Sequence, residues 1–192
     1  IDIQLAWCRD GRTWHRPKDR TPIWPSGLTC AGREIPLIFP QVNATPVKDG
    51  DTYIYATGVT YRHDHWHAQE QYARDKGDVR KQGFGLLAKM TEDRWVSIDA
   101  GDEEGILLTR DIGLPRRLLV NADARGGSIA VEYITPYGEI VEGFSRQDCI
   151  PITADGNAQE IRWRSNKDGW ALNEKYLGGI FMRIYNKNAK LF

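Results

Sequence analysis

The chain has 192 residues, and its 26 basic and 26 acidic side chains give a formal net charge of zero. This balance removes the electrostatic reason to expect nucleic acid or an anionic membrane as a partner. No apolar run approaches the ~20 residues of a membrane-spanning helix, and the start at Ile1 lacks the basic and apolar regions of a secretory signal. Because the first residue is not Met, we expect a processed chain or a fragment.

The composition favours short strands and turns over long helices. The chain has 19 glycines, 9 prolines, 7 tryptophans and 8 tyrosines, but only 2 methionines. Turn-forming residues and strand-forming aromatic residues are both abundant, so we expect an all-β fold. Cys8, Cys30 and Cys149 are too few for a disulfide framework, which leaves a Cys8–Cys30 bridge and buried free thiols as alternatives.

Strands and turns are predicted from the start of the chain. Residues 3–7 alternate apolar and polar side chains, and Asp10 followed by Gly11 predicts a tight turn. We interpret this turn as structural, with Trp14 packing back on the strands. Prolines and glycines make residues 17–36 a long loop.

The next segments extend this pattern to about residue 105. A second hairpin is predicted around residues 48–51, and residues 69–80 favour a short helix. Strands are predicted at residues 42–47, 52–56, 83–90 and 94–98. We therefore expect one antiparallel sheet over residues 1–105, in the up-and-down order of a propeller blade.

Residues 99–113 are acidic and rich in glycine, and they separate this sheet from a region of regular alternation. We predict an antiparallel sandwich over residues 110–192, with a hairpin turn at Gly126 and Gly127. Its strands are predicted at residues 118–122, 128–134, 140–141, 159–163 and 180–185. Its core is predicted at alternating positions, namely Leu119, Ile129, Val131, Ile161, Trp163 and Ile184.

Several segments carry specific motifs. Residues 3–17 contain D-G-x-x-W-x-R-P across a strand-turn-strand, and residues 93–101 read D-R-W-V-S-I-D-A-G. Related runs cover residues 83–87, 107–110, 118–124, 127–132, 143–149 and 189–192. Together these motifs resemble the five-bladed β-propeller glycosidases of the invertase-like and arabinanase-like group. Cys8 departs from that pattern, because these proteins have a small residue at its position.

This resemblance implies that residues 1–105 are the last blade of a five-bladed β-propeller and that residues 110–192 are a jelly-roll-like C-terminal β-sandwich. The chain would be the C-terminal part of a carbohydrate-active enzyme, a glycoside hydrolase acting on bacterial, plant or algal polysaccharide. Most catalytic carboxylates would then lie upstream of it. Expected partners are a carbohydrate and the upstream blades, or a partner chain that supplies them. We expect a secreted or periplasmic bacterial protein without a cofactor, and leave a calcium ion open.

Two other classes of function fit the same sequence. A non-catalytic module would bind glycans or only brace the propeller. A structural assembly domain would pair its exposed blade edge with another chain. Upstream blades with inward-facing carboxylates would decide for the enzyme.

The most chemically varied stretch lies within residues 61–81. Its candidate substrate-binding residues are Arg62, His63, Asp64, His65 and Trp66. The resemblance implies that this loop lies near the sugar site, whereas a solvated loop is the plain alternative. A transition-metal site that also uses His67 is the third alternative, although no fourth ligand is identifiable by spacing.

No catalytic residue is assigned from the sequence. Glycoside hydrolysis needs two carboxyl groups, and no pair is singled out by its neighbours. Four acidic residues of the second region are expected at solvent-exposed edges and turns, namely Glu132, Glu139, Glu142 and Asp148. Three aromatic residues suit either a sugar-binding platform or, as we favour, the closing of the core, namely Trp163, Trp170 and Tyr176.

Overall fold

A computed structural model describes residues 1–41, 47–60, 83–165, 175–176 and 179–192. Every regular element among these residues is a β-strand, which confirms the all-β prediction. The chain divides into two compact units, residues 1–92 and residues 93–192. No helix in the described ranges is long and apolar enough to cross a membrane. The helix predicted at residues 69–80 lies outside the described residues.

The described part of the first unit forms three antiparallel sheets instead of the single sheet predicted. The strands are β1 (Ile3–Gln4), β2 (Pro22–Trp24), β3 (Leu28–Cys30), β4 (Arg33–Ile35), β5 (Leu37–Pro40), β6 (Val47–Lys48), β7 (Asp51–Val59) and β8 (Gly83–Thr91). β1 pairs with β2, β3 pairs with β4, and β7 pairs with β5, β6 and β8.

The prediction of a loop over residues 17–36 is wrong, because this segment contains β2, β3 and β4. Each of the three strands is only 3 residues long and fits between the turn-forming residues. Ala31 and Gly32, with φ of 50° and 76°, form the two-residue turn that joins β3 to β4. Glycine therefore marks a tight hairpin in this segment.

The hairpin predicted around residues 48–51 is confirmed. Asp49 and Gly50 form the two-residue turn that joins β6 to β7. Their φ angles are 55° and 77°, and this type of hairpin turn requires positive φ at both residues. The strand predicted at residues 83–90 is confirmed as β8, which pairs with all nine residues of β7. The interior of the unit includes Ile35 and Ile38, both fully buried.

The second unit has its own set of antiparallel sheets. Its described strands are β9 (Ile98–Asp99), β10 (Gly105–Leu108), β11 (Leu119–Asp123), β12 (Ser128–Ile134), β13 (Cys149–Ile150), β14 (Asp155–Glu160), β15 (Arg162–Trp163), β16 (Phe181–Lys187) and β17 (Lys190–Leu191). In these residues the strand orders of the sheets are β10-β16-β12, β14-β11-β17-β9 and β13-β15.

One hydrophobic cluster holds side chains from both larger sheets of the second unit. The members from β11, β12 and β16 are Val120, Ala122, Ile129, Ala130, Val131, Tyr133, Met182 and Ile184. Four of the predicted core residues are buried, namely Ile129, Val131, Ile161 and Ile184. Trp163 packs against the cluster, so its prediction is confirmed as well.

The prediction that Leu119 belongs to the core is wrong, because this residue is 45% exposed. Val120 is buried in its place. Successive side chains of a strand point to opposite faces, so an error of one residue exchanges the inner and outer faces.

The boundary between the units lies earlier than the predicted break. Of the strand predicted at residues 94–98, only Ile98 is in a strand, and that strand, β9, pairs with β17 of the second unit. The supposed break at residues 99–113 contains β10, which pairs with β16. β9 and β10 are edge strands of their sheets, and most of the acidic, glycine-rich residues lie in the segment between them.

The turn predicted at Gly126 and Gly127 is present, but it does not form a hairpin. It follows β11 and precedes β12, and these two strands belong to different sheets. The backbone N–H of Gly127 donates a hydrogen bond to the carbonyl oxygen of Ala124 at 3.1 Å. A Cβ atom on Gly127 would lie 1.9 Å from the carbonyl oxygen of Lys187, so the corner requires glycine.

Candidate functional site

The strand-turn-strand near the start of the first unit pairs Trp7 with His15. The backbone N–H of each residue donates to the carbonyl oxygen of the other, at 2.9 Å and 2.8 Å. Residues paired in this way in an antiparallel ladder project their side chains on the same face. The two rings accordingly stack, with centroids 5.9 Å apart and planes inclined by 29°.

Asp10 holds the turn between these two residues. Its Oδ1 accepts hydrogen bonds from the backbone N–H groups of Arg12 at 2.8 Å and Thr13 at 2.7 Å, and from Cys8 Sγ at 3.1 Å. Its Oδ2 accepts from Thr13 Oγ1 at 2.8 Å. These donors, led by the Thr13 backbone, hold the pKa of Asp10 well below its usual range. The turn predicted from Asp10 and Gly11 is confirmed.

The cysteines make no disulfide. Cys8, Cys30 and Cys149 are all free thiols, but the alternative of buried free thiols holds only for Cys149, because Cys8 and Cys30 are half-buried. Cys149 is buried, and burial raises the pKa of its thiol.

A cavity of about 370 Å³ lies on the face of the turn that carries the stacked rings. It is lined by Trp7, Arg9, Asp10, Thr13 and His15. The lining combines a flat aromatic wall, a guanidinium donor, a hydroxyl and a carboxylate. We call this the Trp7–His15 cavity.

The sequence interpretation gave this turn a purely structural role and placed Trp14 against the strands. That placement is wrong, because Trp14 is 67% exposed, and it does not line the cavity. Trp7, which does line it, is 44% exposed. The available sequence signal was spacing: Trp7 and His15 lie four residues to either side of Gly11, which places them opposite each other across the turn.

The predicted substrate-binding residues Arg62, His63, Asp64, His65 and Trp66 lie outside the described residues, so their assignment stays a prediction. Within the described ranges, no group of three or more His, Cys, Asp or Glu side chains is arranged to hold a metal ion.

A second polar cluster surrounds Glu132 in the second unit. Glu132 was expected at a solvent-exposed edge, but it is only 3% exposed. Its Oε1 accepts hydrogen bonds from Arg183 Nη1 and Tyr185 Oη, each at 2.6 Å. Its Oε2 accepts from the backbone N–H of Arg146 at 3.3 Å. Both carboxylate oxygens are thus engaged within the protein, and we call this the Glu132 cluster.

The Glu132 cluster arises from strand pairing. Glu132 on β12 lies directly opposite Arg183 on β16, and the Arg146 guanidinium lies 4.2 Å from the ring centroid of Tyr185. Burial, and then the hydrogen bond to Glu132, raises the pKa of Tyr185. Glu139 and Glu142 are exposed as expected, whereas Asp148 is half-buried.

A wider cavity of about 600 Å³ lies in the second unit, and four of its charged lining residues form two ion pairs, Arg125 with Asp123 and Lys190 with Asp99. Arg125 donates to both carboxylate oxygens of Asp123, at 2.8 Å and 2.6 Å, and these bonds lower the pKa of Asp123 to about 2. Lys190 Nζ lies 3.7 Å from Asp99 Oδ2. Mutual pairing leaves this cavity less suited to a ligand than the Trp7–His15 cavity.

The favoured core-closing role is confirmed for Trp163. Its Nε1 donates to the carbonyl oxygen of Val131 at 3.1 Å, and its ring centroid lies 5.1 Å from those of Tyr133 and Phe144. Tyr176 packs against the same hydrophobic cluster. Trp170 lies outside the described residues.

Comparisons with known protein families, with curated proteins and with solved structures found no match to this chain.

Proposed function

We propose that this chain is the C-terminal part of a carbohydrate-active enzyme, a secreted or periplasmic glycoside hydrolase, and that it contributes a carbohydrate-binding surface. In this proposal the first unit is the last blade of a propeller and the second is a β-sandwich. The four-stranded antiparallel sheet of β5, β6, β7 and β8 supports the blade, and the antiparallel sheets of the second unit support the sandwich. The hydrophobic cluster shared by the two larger sheets of the second unit suits a sandwich.

The Trp7–His15 cavity is the observation that carries the proposal. A sugar ring has apolar C–H faces and a polar rim of hydroxyl groups, so it fits a site with an aromatic wall and convergent hydrogen-bonding groups. Trp7 and His15 supply the wall, while Arg9, Thr13 and Asp10 supply donors and acceptors. The size and solvent exposure of the cavity suit one ring of a longer chain.

The described carboxyl groups do not single out a catalytic pair. The general acid of a glycosidase needs a raised pKa. Every described carboxyl group with a resolved pKa shift is shifted downward, by backbone N–H, hydroxyl or arginine donors, namely Asp10, Asp19, Asp111, Asp123 and Glu160. The proposal places most of the catalytic carboxylates in upstream blades of the complete protein.

The test compares two tryptophans of the same turn in the complete protein. A panel of neutral and acidic bacterial, plant and algal polysaccharides identifies a ligand, and calorimetry measures its affinity. Trp7→Ala should weaken binding about tenfold, because it removes the stacking wall. Trp7→Phe should retain most of the affinity.

Trp14→Ala is the matched control, because Trp14 is exposed on the same turn and does not line the cavity. It should bind like the wild type. Absence of binding to every polysaccharide, or equal losses in Trp7→Ala and Trp14→Ala, would contradict the proposal.

Hydrolysis separates the enzyme from the non-catalytic glycan-binding module, which the same cavity also supports. If the complete protein is the enzyme, it should release reducing ends from its ligand. Replacing His63 or His65 by Ala should then lower that activity at an unchanged melting temperature. Binding without any release would favour the non-catalytic module.

A further inference from the structure

The turn that carries the Trp7–His15 cavity concentrates positive charge. Residues 7–20 contain five basic side chains and two acidic ones, an excess of three positive charges in a chain whose net charge is zero. The basic residues are Arg9, Arg12, Arg16, Lys18 and Arg20. This segment is called the basic turn below.

These positively charged side chains are exposed and lack a carboxylate partner among the described residues. All five basic side chains are exposed, and none forms an ion pair with another residue of the described ranges. The second unit differs: Arg94, Arg125 and Arg183 each lie within 2.6 Å of a carboxylate oxygen. The basic turn is therefore a region where positive charge is left for an external anion.

The two acidic residues of the basic turn are engaged locally. Asp10 accepts the four hydrogen bonds described above. Asp19 Oδ1 accepts from the backbone N–H of Thr21 at 3.3 Å, and its Oδ2 accepts from Thr21 Oγ1 at 2.8 Å. Both carboxylates hold turns in shape, whereas the guanidinium and ammonium groups around them extend into solvent.

We infer that the ligand of the Trp7–His15 cavity is an anionic polysaccharide, whose sugar rings carry carboxylate or sulfate groups. This inference rests on the proposed carbohydrate-binding function and adds the charge of the ligand. The stacked rings take an apolar sugar face, Arg9 meets an acidic substituent at the cavity, and the other cations meet neighbouring acidic sugars. The small size of the Trp7–His15 cavity and the zero net charge of the chain favour a polysaccharide over a nucleic acid.

Matched pairs of polymers test the charge requirement in the complete protein. The probes are polygalacturonate with its methyl ester, and dextran sulfate with dextran, beside the polysaccharide panel. Binding should favour the anionic member of at least one pair by about tenfold or more, about 1.4 kcal/mol. Raising NaCl from about 0.05 M to about 0.5 M should weaken this binding, because salt screens exposed charges.

The triple variant Arg9→Gln, Arg12→Gln, Arg16→Gln should reduce the affinity for the anionic probe about tenfold. The control removes the same charge at exposed positions elsewhere, with Lys48→Gln, Arg110→Gln and Lys187→Gln, and should bind like the wild type. Unchanged melting temperatures show that both triple variants fold.

The outcomes separate this inference from the proposed function. Equal binding of charged and neutral polysaccharides through Trp7 overturns the anionic ligand and keeps the glycan-binding function. Binding of no polysaccharide overturns both. Single-stranded DNA bound as tightly as the anionic polysaccharide, through the same three arginines, also overturns the inference.

Discussion

The basic turn of the first unit and the Glu132 cluster of the second hold charged groups in opposite ways. In the basic turn, the Asp10 carboxylate accepts mostly backbone N–H and hydroxyl donors, and the arginine side chains remain exposed. In the Glu132 cluster, the carboxylate is buried and accepts hydrogen bonds from Arg183 and Tyr185.

This difference separates binding from stability. A buried charge must be paired, because an unpaired one loses its hydration without compensation. Both carboxylate oxygens of Glu132 accept hydrogen bonds from within the protein. Exposed charges carry no such requirement, so the cations of the basic turn are free to meet a partner. We therefore expect substitutions in the Glu132 cluster to affect folding and those in the basic turn to affect binding.

The largest effect on stability is expected for Glu132→Ala. Removing the carboxylate leaves Arg183 and Tyr185 partly buried without their acceptor, which should cost ~3–5 kcal/mol of the free energy of unfolding. Urea denaturation measures this change. Glu139→Ala, at an exposed position, is the control and should change the free energy by less than ~0.5 kcal/mol. Similarly small changes in the free energy of unfolding of both variants would contradict a stabilising role for the Glu132 cluster.

The same contrast applies to apolar side chains of the second unit. Ile129 is fully buried, so Ile129→Ala should cost ~2–5 kcal/mol of unfolding free energy. Leu119→Ala should cost well under ~1 kcal/mol, because Leu119 is largely exposed. Both values come from denaturant unfolding. A larger loss for Leu119→Ala than for Ile129→Ala would show that the register of β11 is shifted by one residue.

The smallest effect on global stability is expected at Asp10. Its folded-state pKa lies below the usual 3.8, so the hydrogen bonds it accepts stabilise the turn fully above that pH. This contribution is lost as the pH falls further, through the folded-state pKa. In an NMR titration, the Thr13 amide resonance should stay constant from about pH 7 to about pH 4.

Asp10→Asn serves as the control for that titration and should remove the low-pH change of the Thr13 resonance. It should leave the global unfolding midpoint unchanged, because Asp10 is exposed. A Thr13 titration near the ordinary pKa of aspartate would contradict the local hydrogen bonding of the turn.

Local patterns explain which strands the sequence predicted. β8, β12 and β16 follow from their runs of strand-forming residues, and the turn at Asp49 and Gly50 follows from its preference for positive φ. β10 was missed because this short strand adjoins an acidic, glycine-rich stretch, and its partner β16 lies far along the chain, where local sequence does not reveal the pairing.

In the candidate site, too, some features follow from local sequence and others depend on distant parts of the chain. The sequence alone determined the all-β fold and the tight turn at Asp10, since both depend on preferences between near neighbours. Tertiary structure decided that Trp7 stacks on His15 at the surface, that Trp14 is exposed, and that Glu132 is buried against Arg183. Exposure and pairing depend on which side chains other strands bring opposite, at separations of up to 51 residues for Glu132 and Arg183. Local sequence does not show which distant residues will become neighbours. Only the folded structure therefore reveals which charged side chains are paired and which remain available to bind a partner.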